Sequence, residues 1–591
     1  MDIFQTTVLC IHEICRITIF IRKVVHDIKT YDDDVSQLQA ELEHEFVFLE
    51  TFKKLFFEDD KNEFRQFRYL PDNLTRSVNH ILTGLNKCLA EYRVVALKHG
   101  LDLSEADAAM GYGQQTLTIA ASPSTSTAPT SQVAVSDSYR DRFKTMVTSL
   151  RLKAKAPEWA LFSKSKIQAL LEQYSLWTER LRQVMTLMLL VEGRVGSLSV
   201  SEIATHSAGS ALGLQKTAAR QLRAHTDPPA DFDSLDGTFQ SLDAVTSASP
   251  LQYVVGTYTD AFGVSSTTVI MEKHTFDIFD SAVTSSSEKE ALRKNLVRKL
   301  AWTLRDGDAS SRSSKAISSP AIATNSPEMP TVLTERQSHV SILPCLGYLP
   351  VGKDGYSSII YSLPAIKADA SIRTLHDYIL NYPRPALGDR FTMALSLAQT
   401  IFHIHSSGWV HKNIRSRAII ITPMSGKTLL YLLGWSTARP RTEQMNIWSM
   451  ESQEKTATSS VDRPLEQELY RHPERYETIT AAFTAKHDIY SVGIVLLEIA
   501  LWTTMSKQFA SPIAKAQEKG ALPPVDIVSK ALSKLSRDHR VAQEMGEGYA
   551  RLIRRCLETD FEVGKHDEQE SGLLGQFQAL VVDKLSLGVA M

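Results

Sequence analysis

The ten residues "GWVHKNIRSR", Gly408–Arg417, decide how the second half of the chain is interpreted. They place a histidine, a basic residue and an amide side chain directly after a predicted helix, 390–406. Upstream, from about residue 250, short β-branched runs separated by turns predict the strands of a small sheet. Downstream of Pro364, apolar residues recur at helical spacing. The helices predicted there are 372–380, 485–502 and 550–557. Strands followed by helices indicate an α+β arrangement with two lobes.

Length and composition limit the class of protein. A chain of 591 residues is too long for one hydrophobic core, so several domains are expected. The 65 Lys and Arg residues nearly balance the 67 Asp and Glu residues, so charge does not favour nucleic acid as a partner. The sequence shows neither a signal-peptide layout nor about 20 consecutive apolar residues. The five cysteines have no metal-binding spacing, which fits a reduced, cytoplasmic protein.

The first 200 residues carry apolar side chains at heptad-like spacing. Such stripes must be buried against one another, so the sequence predicts an all-α helical bundle over 1–200. One seam consists of Leu74, Ile81, Cys88 and Val95, and another of Ile167, Tyr174, Leu181 and Met188. A shorter apolar face near the N-terminus is also expected in the core, with conditional association with a membrane as the alternative. That face consists of Ile11, Ile14, Ile17, Ile21 and Val25.

Composition shifts predict the domain boundaries. A Ser/Thr/Pro-rich stretch, 113–137, is expected to be a flexible loop of the bundle, and the small, polar residues of 201–247 indicate a linker. The second domain is expected over 248–591. It divides into an N-lobe, 248–363, with a Ser/Pro-rich insert at 305–330, and a C-lobe, 364–591.

Four motifs of the second half occur in the order known from one family. After "HKNIRSRA" come "GWSTARP", "YRHPERY" and "KHDIYSVGIVLLEIALW". Together they resemble the eukaryotic protein kinase domain, over roughly residues 250–585. The family's H-R-D-L-x-x-x-N and D-F-G motifs would fall on the first two. The matching catalytic-loop positions are His411, Lys412, Asn413 and Ala418, and the metal-motif positions are Gly434, Trp435 and Ser436.

The resemblance implies that the catalytic groups are missing. Phosphoryl transfer needs carboxylates that hold magnesium and accept a proton. Asn413 cannot accept a proton at neutral pH, which removes a general base worth about 10²- to 10⁴-fold. Ala418 and Gly434 offer no oxygen to a metal, so neither Mg²⁺ nor any other metal is expected. The residues just before Gly434 are apolar or aromatic, so no acidic side chain is expected to replace the lost ligands.

The nucleotide-binding features of the family are weakly matched. A G-x-G-x-x-G loop is missing, but "VIMEK" resembles the strand that carries the nucleotide lysine. Lys273 is therefore the candidate lysine, with Glu288 or Glu290 of the next helix as its partner; a solvated lysine at a strand end is the alternative. ATP binding without turnover stays open.

Other matching residues have structural roles in the family. By the resemblance, Asp488 caps the backbone of the catalytic loop, and His411 stacks with Trp435. Glu474 is expected to pair with Arg551 or Arg555 of the late helix. Gly493 lies in register with the family's buried central helix.

The first domain also has a likeness. "RLKAKAPEWALFSKSKIQALLEQYSLWTERL", 151–181, resembles the HeLo and HeLo-like helical bundles of filamentous-fungal proteins. That family acts in incompatibility and cell-death signalling, in some cases by disturbing membranes. The order of the two domains is similar to that of mixed-lineage-kinase-like pseudokinases, which is an analogy between architectures.

Three functions follow from these observations. The first is an inactive signalling pseudokinase that controls or scaffolds a helical effector and binds protein partners. The second is an active ATP-dependent serine/threonine kinase with atypical catalytic residues. The third is a passive protein–protein scaffold. The upstream signal, the partner and the oligomeric state are not encoded in a recognisable motif.

Overall fold

The structure is a computed structural model, which describes sixteen segments of the chain. They are residues 3–27, 34–57, 72–98, 161–196, 198–241, 253–263, 266–274, 286–305, 342–349, 357–363, 372–424, 427–440, 468–475, 483–518, 525–561 and 570–589. The loop predicted at 113–137 and nearly all of the insert predicted at 305–330 lie outside them.

The described residues form helices and antiparallel sheets. The helices are α1 (Ile3–Asp27), α2 (Asp34–Phe57), α3 (Asp72–Cys88), α4 (Ala90–Lys98), α5 (Lys164–Glu192), α6 (Val200–Thr205), α7 (Ser207–Ala211), α8 (Gln215–His225), α9 (Ser286–Leu304), α10 (Leu375–Asn381), α11 (Leu387–Ser406), α12 (Ala485–Leu501), α13 (Met505–Gln508), α14 (Ala510–Glu518), α15 (Val525–Ser536), α16 (His539–Glu558), α17 (Ser571–Phe577) and α18 (Asp583–Val589). The strands are β1 (Arg194–Val195), β2 (Leu198–Ser199), β3 (Thr238–Ser241), β4 (Tyr253–Thr259), β5 (Ser266–His274), β6 (Cys345–Leu349), β7 (Ser357–Ser362), β8 (Arg373–Thr374), β9 (Trp409–Val410), β10 (Ile419–Met424), β11 (Lys427–Leu432) and β12 (Arg439–Pro440).

The N-terminal region is helical, as the heptad-like spacing predicts. Helices α1, α2, α3 and α5 pack together and bury their apolar stripes. The short N-terminal face lies in this core, since Ile11, Ile14, Ile17, Ile21 and Val25 are all buried. Among the described residues, no helix combines the length and apolar character needed to cross a membrane.

The segment predicted as a linker is ordered for most of its length. Residues 201–241 contain most of α6, all of α7 and α8, and strand β3. Two local signals explain the first helix: Gly193 ends α5 in the left-handed region, and Ser199 forms a capping box with Glu202. The small, polar residues that indicated a linker over 201–247 therefore form short helices and a strand as far as residue 241.

A five-stranded antiparallel sheet begins the α+β region. Its strand order is β3-β4-β5-β7-β6, so the first strand lies inside the predicted linker and before the predicted boundary at 248. Helix α9 lies between β5 and β6 in the sequence and packs on β6 and β7. Its buried stripe contains Leu296, Val297, Leu300 and Leu304.

The remaining C-terminal residues are mostly helical. Helix α12 is buried along nearly its whole length and packs against α11 and α16. Gly493 of α12 allows this approach, because a Cβ there would lie 2.8 Å from the Cβ of Cys556. Beside these helices, β10 pairs with β8 and β11, and β9 pairs with β12. This arrangement brings residues 408–418 and 433–440 together.

Candidate functional site

Asp488 organises the loop that follows α11. Its Oδ2 accepts a hydrogen bond from the backbone N–H of His411 at 2.7 Å, and its Oδ1 accepts one from that of Lys412 at 2.9 Å. The ring Nε2 of His405 lies 3.1 Å from Oδ2. Although burial opposes the charged form, these hydrogen bonds and the nearby histidines keep the pKa of Asp488 below its usual range. The expected contact of Asp488 with this backbone is therefore present.

His411 and Trp435 hold the next part of the loop. Their rings meet edge to face with centroids 4.8 Å apart, as expected, and both side chains are buried. Burial lowers the pKa of His411 to about 4, so its ring is neutral at physiological pH. The indole Nε1 of Trp435 donates to the carbonyl of Leu432 at 3.0 Å, while the neighbouring Ser436 is half-buried. These contacts fix the backbone of the loop between α11 and β10.

Asn413, Ala418 and Gly434 lie together, as their motif positions imply. The Nδ2 of Asn413 donates to the carbonyl of Gly434 at 3.3 Å. Gly434 has φ +87°, and a Cβ at this position would collide with the amide of Asn413 and lie 3.5 Å from the Cβ of Ala418. The space beside Gly434 is therefore filled by neutral groups of the protein itself.

Glu272 is a site residue that the sequence did not predict. It extends from β5, and its Oε1 accepts a hydrogen bond from the backbone N–H of Gly434 at 2.8 Å. The side chain is fully buried, so the expectation that no acidic group reaches this site was wrong. The strand pattern could have revealed it, because alternate residues of a strand share one face. Ile270, Glu272 and His274 are the buried positions of that face.

The protonation of Glu272 follows from its burial. Desolvation raises the pKa of its carboxyl from 4.5 to about 7. The N–H groups of Gly434 and Trp435 and the Tyr361 hydroxyl favour the charged form and offset only part of this rise. Burial also lowers the pKa of His274 to about 3, and its Nε2 lies 3.8 Å from Oε2 of Glu272. Near neutral pH, His274 is therefore uncharged and Glu272 holds a proton for part of the time.

Lys273 is not brought to the site. Its strand neighbour Glu272 faces Gly434, so the Lys273 side chain leaves β5 on the opposite face and is half-buried there. The residues predicted as its partners, Glu288 and Glu290, belong to α9, but their side chains lie outside the described part of the structure. The ion pair between this lysine and one of them stays a prediction.

A second cluster surrounds Glu474. Its Oε2 lies 2.7 Å from Nζ of Lys486 and 3.5 Å from Nε2 of His487. This ion pair differs from the expected one, which was with Arg551 or Arg555. Of those two, Arg551 is exposed on α16 and Arg555 is half-buried. Glu474 lies within the 3-10 turn Pro473–Arg475, and its carboxylate is beside the first turn of α12.

Among the described residues, His472, Glu474 and His487 form a group whose ligand atoms lie close enough to hold a metal, within 4.8 Å of one another. The hydrogen bonds oppose this use. Nδ1 of His472 accepts from the N–H of Glu474 at 3.2 Å, and Nδ1 of His487 accepts from that of Thr484 at 2.8 Å. A neutral imidazole with Nδ1 as acceptor has its proton on Nε2 and no lone pair left for a metal. The ammonium group of Lys486 adds repulsion, so the cluster is better suited to anchoring the chain.

Lys412 points away from Gly434. Its backbone is in the left-handed region, with φ +68°, and its Nζ lies 5.6 Å from the ring centroid of Phe483. The guanidinium of Arg475 lies over the same ring, and Arg439 donates to the backbone carbonyl of Phe483 at 3.2 Å. These three cations therefore surround residue 483.

Comparisons with known proteins identify no relative: no protein-family model matches the sequence, and no curated protein matches it.

Proposed function

We propose that the chain is a catalytically inactive, kinase-like signalling protein whose C-terminal region controls an N-terminal helical effector. Three features support a kinase-like arrangement. The sheet order β3-β4-β5-β7-β6 has its helix between the third and fourth strands of the sequence, and the loop after α11 is capped by Asp488 of a buried helix. The motif positions around Gly434 also converge in space.

The contact between Glu272 and Gly434 carries the proposal of inactivity. In the strand that resembles the nucleotide-lysine strand, the residue facing Gly434 is a carboxylic acid instead of a cation. A carboxylate about 4 Å from a phosphate charge raises the free energy by about 4 kcal/mol at an effective dielectric constant of about 20. Because the pKa of Glu272 is already about 7, a bound phosphate would instead keep this carboxyl protonated, which removes most of that penalty but leaves a neutral group where a cation would bind the phosphate. Glu272 therefore disfavours ATP, and Asn413 cannot act as the base.

Glu272 also supplies the strongest reason to consider an enzyme, because a buried carboxylate is a ligand that magnesium accepts. Its Oε1 already accepts the N–H of Gly434, however, and neither Ala418 nor Gly434 adds a second ligand. Among the described residues, the Oε2 of Glu272 accepts no hydrogen bond, so a metal could bind there without breaking the bond to Gly434. The missing second ligand at positions 418 and 434 is therefore what opposes the active kinase.

Thermal-shift and phosphate-transfer assays on the full chain test the proposal. We expect no ATP-dependent rise in melting temperature with Mg²⁺ or Mn²⁺, and no transfer to a protein substrate. The variant Glu272→Gln should also fail to transfer phosphate, and Lys273→Ala should behave as the unmodified chain. A metal-dependent ATP shift that Glu272→Gln abolishes would establish Glu272 as a ligand and favour the active kinase.

The effector role of the bundle is the second part of the proposal. Its apolar face is buried in the described structure, so any action on a membrane or partner requires the bundle to change its packing. Vesicle leakage is measured with the full chain, once with the bundle packed as described and once with its helix packing weakened. The comparison separates an effector from a passive scaffold. A scaffold would produce no leakage in either state.

A further inference from the structure

The last described helices connect the two regions of the chain. Helix α17, the π-helical turn Gln578–Val582 and α18 contact α5 of the bundle on one side and α11 on the other. We name residues 571–589 the C-terminal clip. Its buried apolar residues are Leu573, Leu574, Phe577, Val581, Val582 and Leu585.

The clip is packed tightly against α11. A Cβ added to Gly588 would collide with the ring of Phe391, so this glycine allows the two helices to approach closely. Phe391 in turn meets Tyr549 edge to face, with ring centroids 5.4 Å apart. Phe391, Tyr549 and the buried apolar residues of the clip belong to one continuous hydrophobic core, which also contains buried residues of the bundle.

The other side of the clip is more polar and looser. Nε2 of Gln578 donates to Oε1 of Gln183 at 3.1 Å, and both side chains are buried. Nε of Arg180 lies 3.8 Å from Oδ1 of Asp583, with both groups partly exposed. A Cβ added to Gly575 would still be 4.0 Å from Leu187, so α5 and α17 are not in tight contact there.

The contact with Gln183 lies at an irregular point of the clip. Gln578 begins the π-helical turn, and π turns are rare and frequently occur at functional sites. The turn shifts the residues that follow it, which brings Asp583 towards α5 while Gly588 stays on α11. A regular α-helix would present these residues at different angles.

Arg180 links the clip to the interior of the bundle. Its guanidinium lies 4.6 Å from the ring centroid of Trp177, which also meets His80 of α3 edge to face. A Cβ on Gly84 of α3 would collide with the same indole. Arg180 therefore lies between Asp583 of the clip and the indole that fills the contact of α3 with α5.

We propose that the C-terminal clip is a releasable latch that holds the helical bundle against α11, and that its polar face towards α5 is where the two regions separate. The clip stays with the C-terminal region on release, because its contact with α11 is apolar and close. The effect of the latch on signalling rests on the proposed function. The release of the clip from α5 can be tested without that function.

Charge reversal tests the latch in the full chain. Arg180→Glu should raise the equilibrium constant for opening of the interface about fivefold, which corresponds to about 1 kcal/mol, because it replaces the ion pair with Asp583 by a repulsion. The double variant Arg180→Glu with Asp583→Arg should return to within about twofold of the unmodified chain. Lys166→Glu, an exposed position of α5 with the same charge change, is the matched control and should have no effect.

Hydrogen exchange of residues 571–589 and 164–192, with sedimentation velocity, reports the opening. Faster exchange in Arg180→Glu that the double variant reverses would support the latch. If Arg180→Glu unfolds the chain, Asp583→Asn removes the ion pair without a reversed charge and should give a smaller increase. Unchanged exchange in both single variants would overturn the proposal.

A vesicle-leakage assay on the same variants separates the latch from the effector role. Faster exchange together with leakage supports both. Faster exchange without leakage supports the latch but contradicts the effector part of the proposed function.

Discussion

Replacing Glu272 by glutamine should change the pH dependence of stability in a defined way. The folded pKa of Glu272 is about 7, above the ordinary value of 4.5, so the folded state binds the proton more tightly than the unfolded state does. Stability from this group is present below pH 4.5 and is lost as the pH rises towards 7, by up to about 1.4 kcal/mol per pH unit.

His274 acts in the opposite direction. Its folded pKa of about 3 lies below the ordinary value of 6.5, so the unfolded state binds the proton more tightly. Stability therefore falls as the pH drops from 6.5 towards 3. In the unmodified chain the two slopes nearly cancel between pH 4.5 and 6.5. The variant Glu272→Gln removes only the pH dependence that residue 272 gives to the free energy of unfolding. This variant should therefore gain stability relative to the unmodified chain as the pH rises.

The expected gain approaches about 3.5 kcal/mol once the pH is above 7, which is the rise in pKa from 4.5 to about 7 multiplied by about 1.4 kcal/mol per pH unit. Urea unfolding followed by tryptophan fluorescence measures it, because Trp435 lies in the site. Glu172→Gln, an exposed position of α5, is the control and should follow the unmodified chain at every pH. Parallel curves for Glu272→Gln and the unmodified chain would refute the assigned burial of this carboxyl.

Three further substitutions have expected outcomes. Asp488→Ala should lower the free energy of unfolding by about 3 kcal/mol or more in urea titrations, because it removes a buried acceptor of two backbone N–H groups; a loss below about 1 kcal/mol would contradict the cap. Gly434→Asp should destabilise by about 1–3 kcal/mol and give no ATP-dependent thermal shift, since the backbone has φ +87° and the space is filled; an ATP shift would show that the site can reopen. Gly84→Ala should lower the melting temperature because its Cβ meets Trp177, whereas Gly388→Ala in α11, which meets nothing within 4 Å, should leave it unchanged or raise it.

The helices were predictable because their signals are local and repeated. The apolar stripe of α5 runs through Ile167, Tyr174, Leu181 and Met188, all of which are buried. The predicted helix 485–502 corresponds to α12, Ala485–Leu501. Strand β3 was missed since "TFQS" contains four residues of mixed polarity, and its pairing with β4 depends on a strand that comes later in the chain.

The site was predictable only in part, because its geometry depends on pairs that are distant in the sequence. Asp488 and His411 could be placed by the family resemblance, since both fall on strong motifs. The contact between Glu272 and Gly434 joins positions 162 residues apart, and it depends on which face of β5 is turned inwards. An error of one residue exchanges the two faces. This explains why Lys273 was chosen in place of Glu272.

The presence of Glu272 instead of Lys273 on the face of β5 towards Gly434 also changes which groups the site can bind. A lysine facing Gly434 would leave a cation ready for phosphate, and the site would have to stay open to receive it. A glutamic acid there makes its contact within the protein, and its hydrogen bond connects the five-stranded sheet directly to the segment after β11. Because Asn413 holds the other side of Gly434, this backbone is fixed between the sheet and the loop capped by Asp488. On the proposed kinase-like arrangement, protonation of Glu272 would weaken the acceptor that joins the sheet to the backbone of Gly434, because a neutral carboxyl accepts a hydrogen bond less strongly than a carboxylate does.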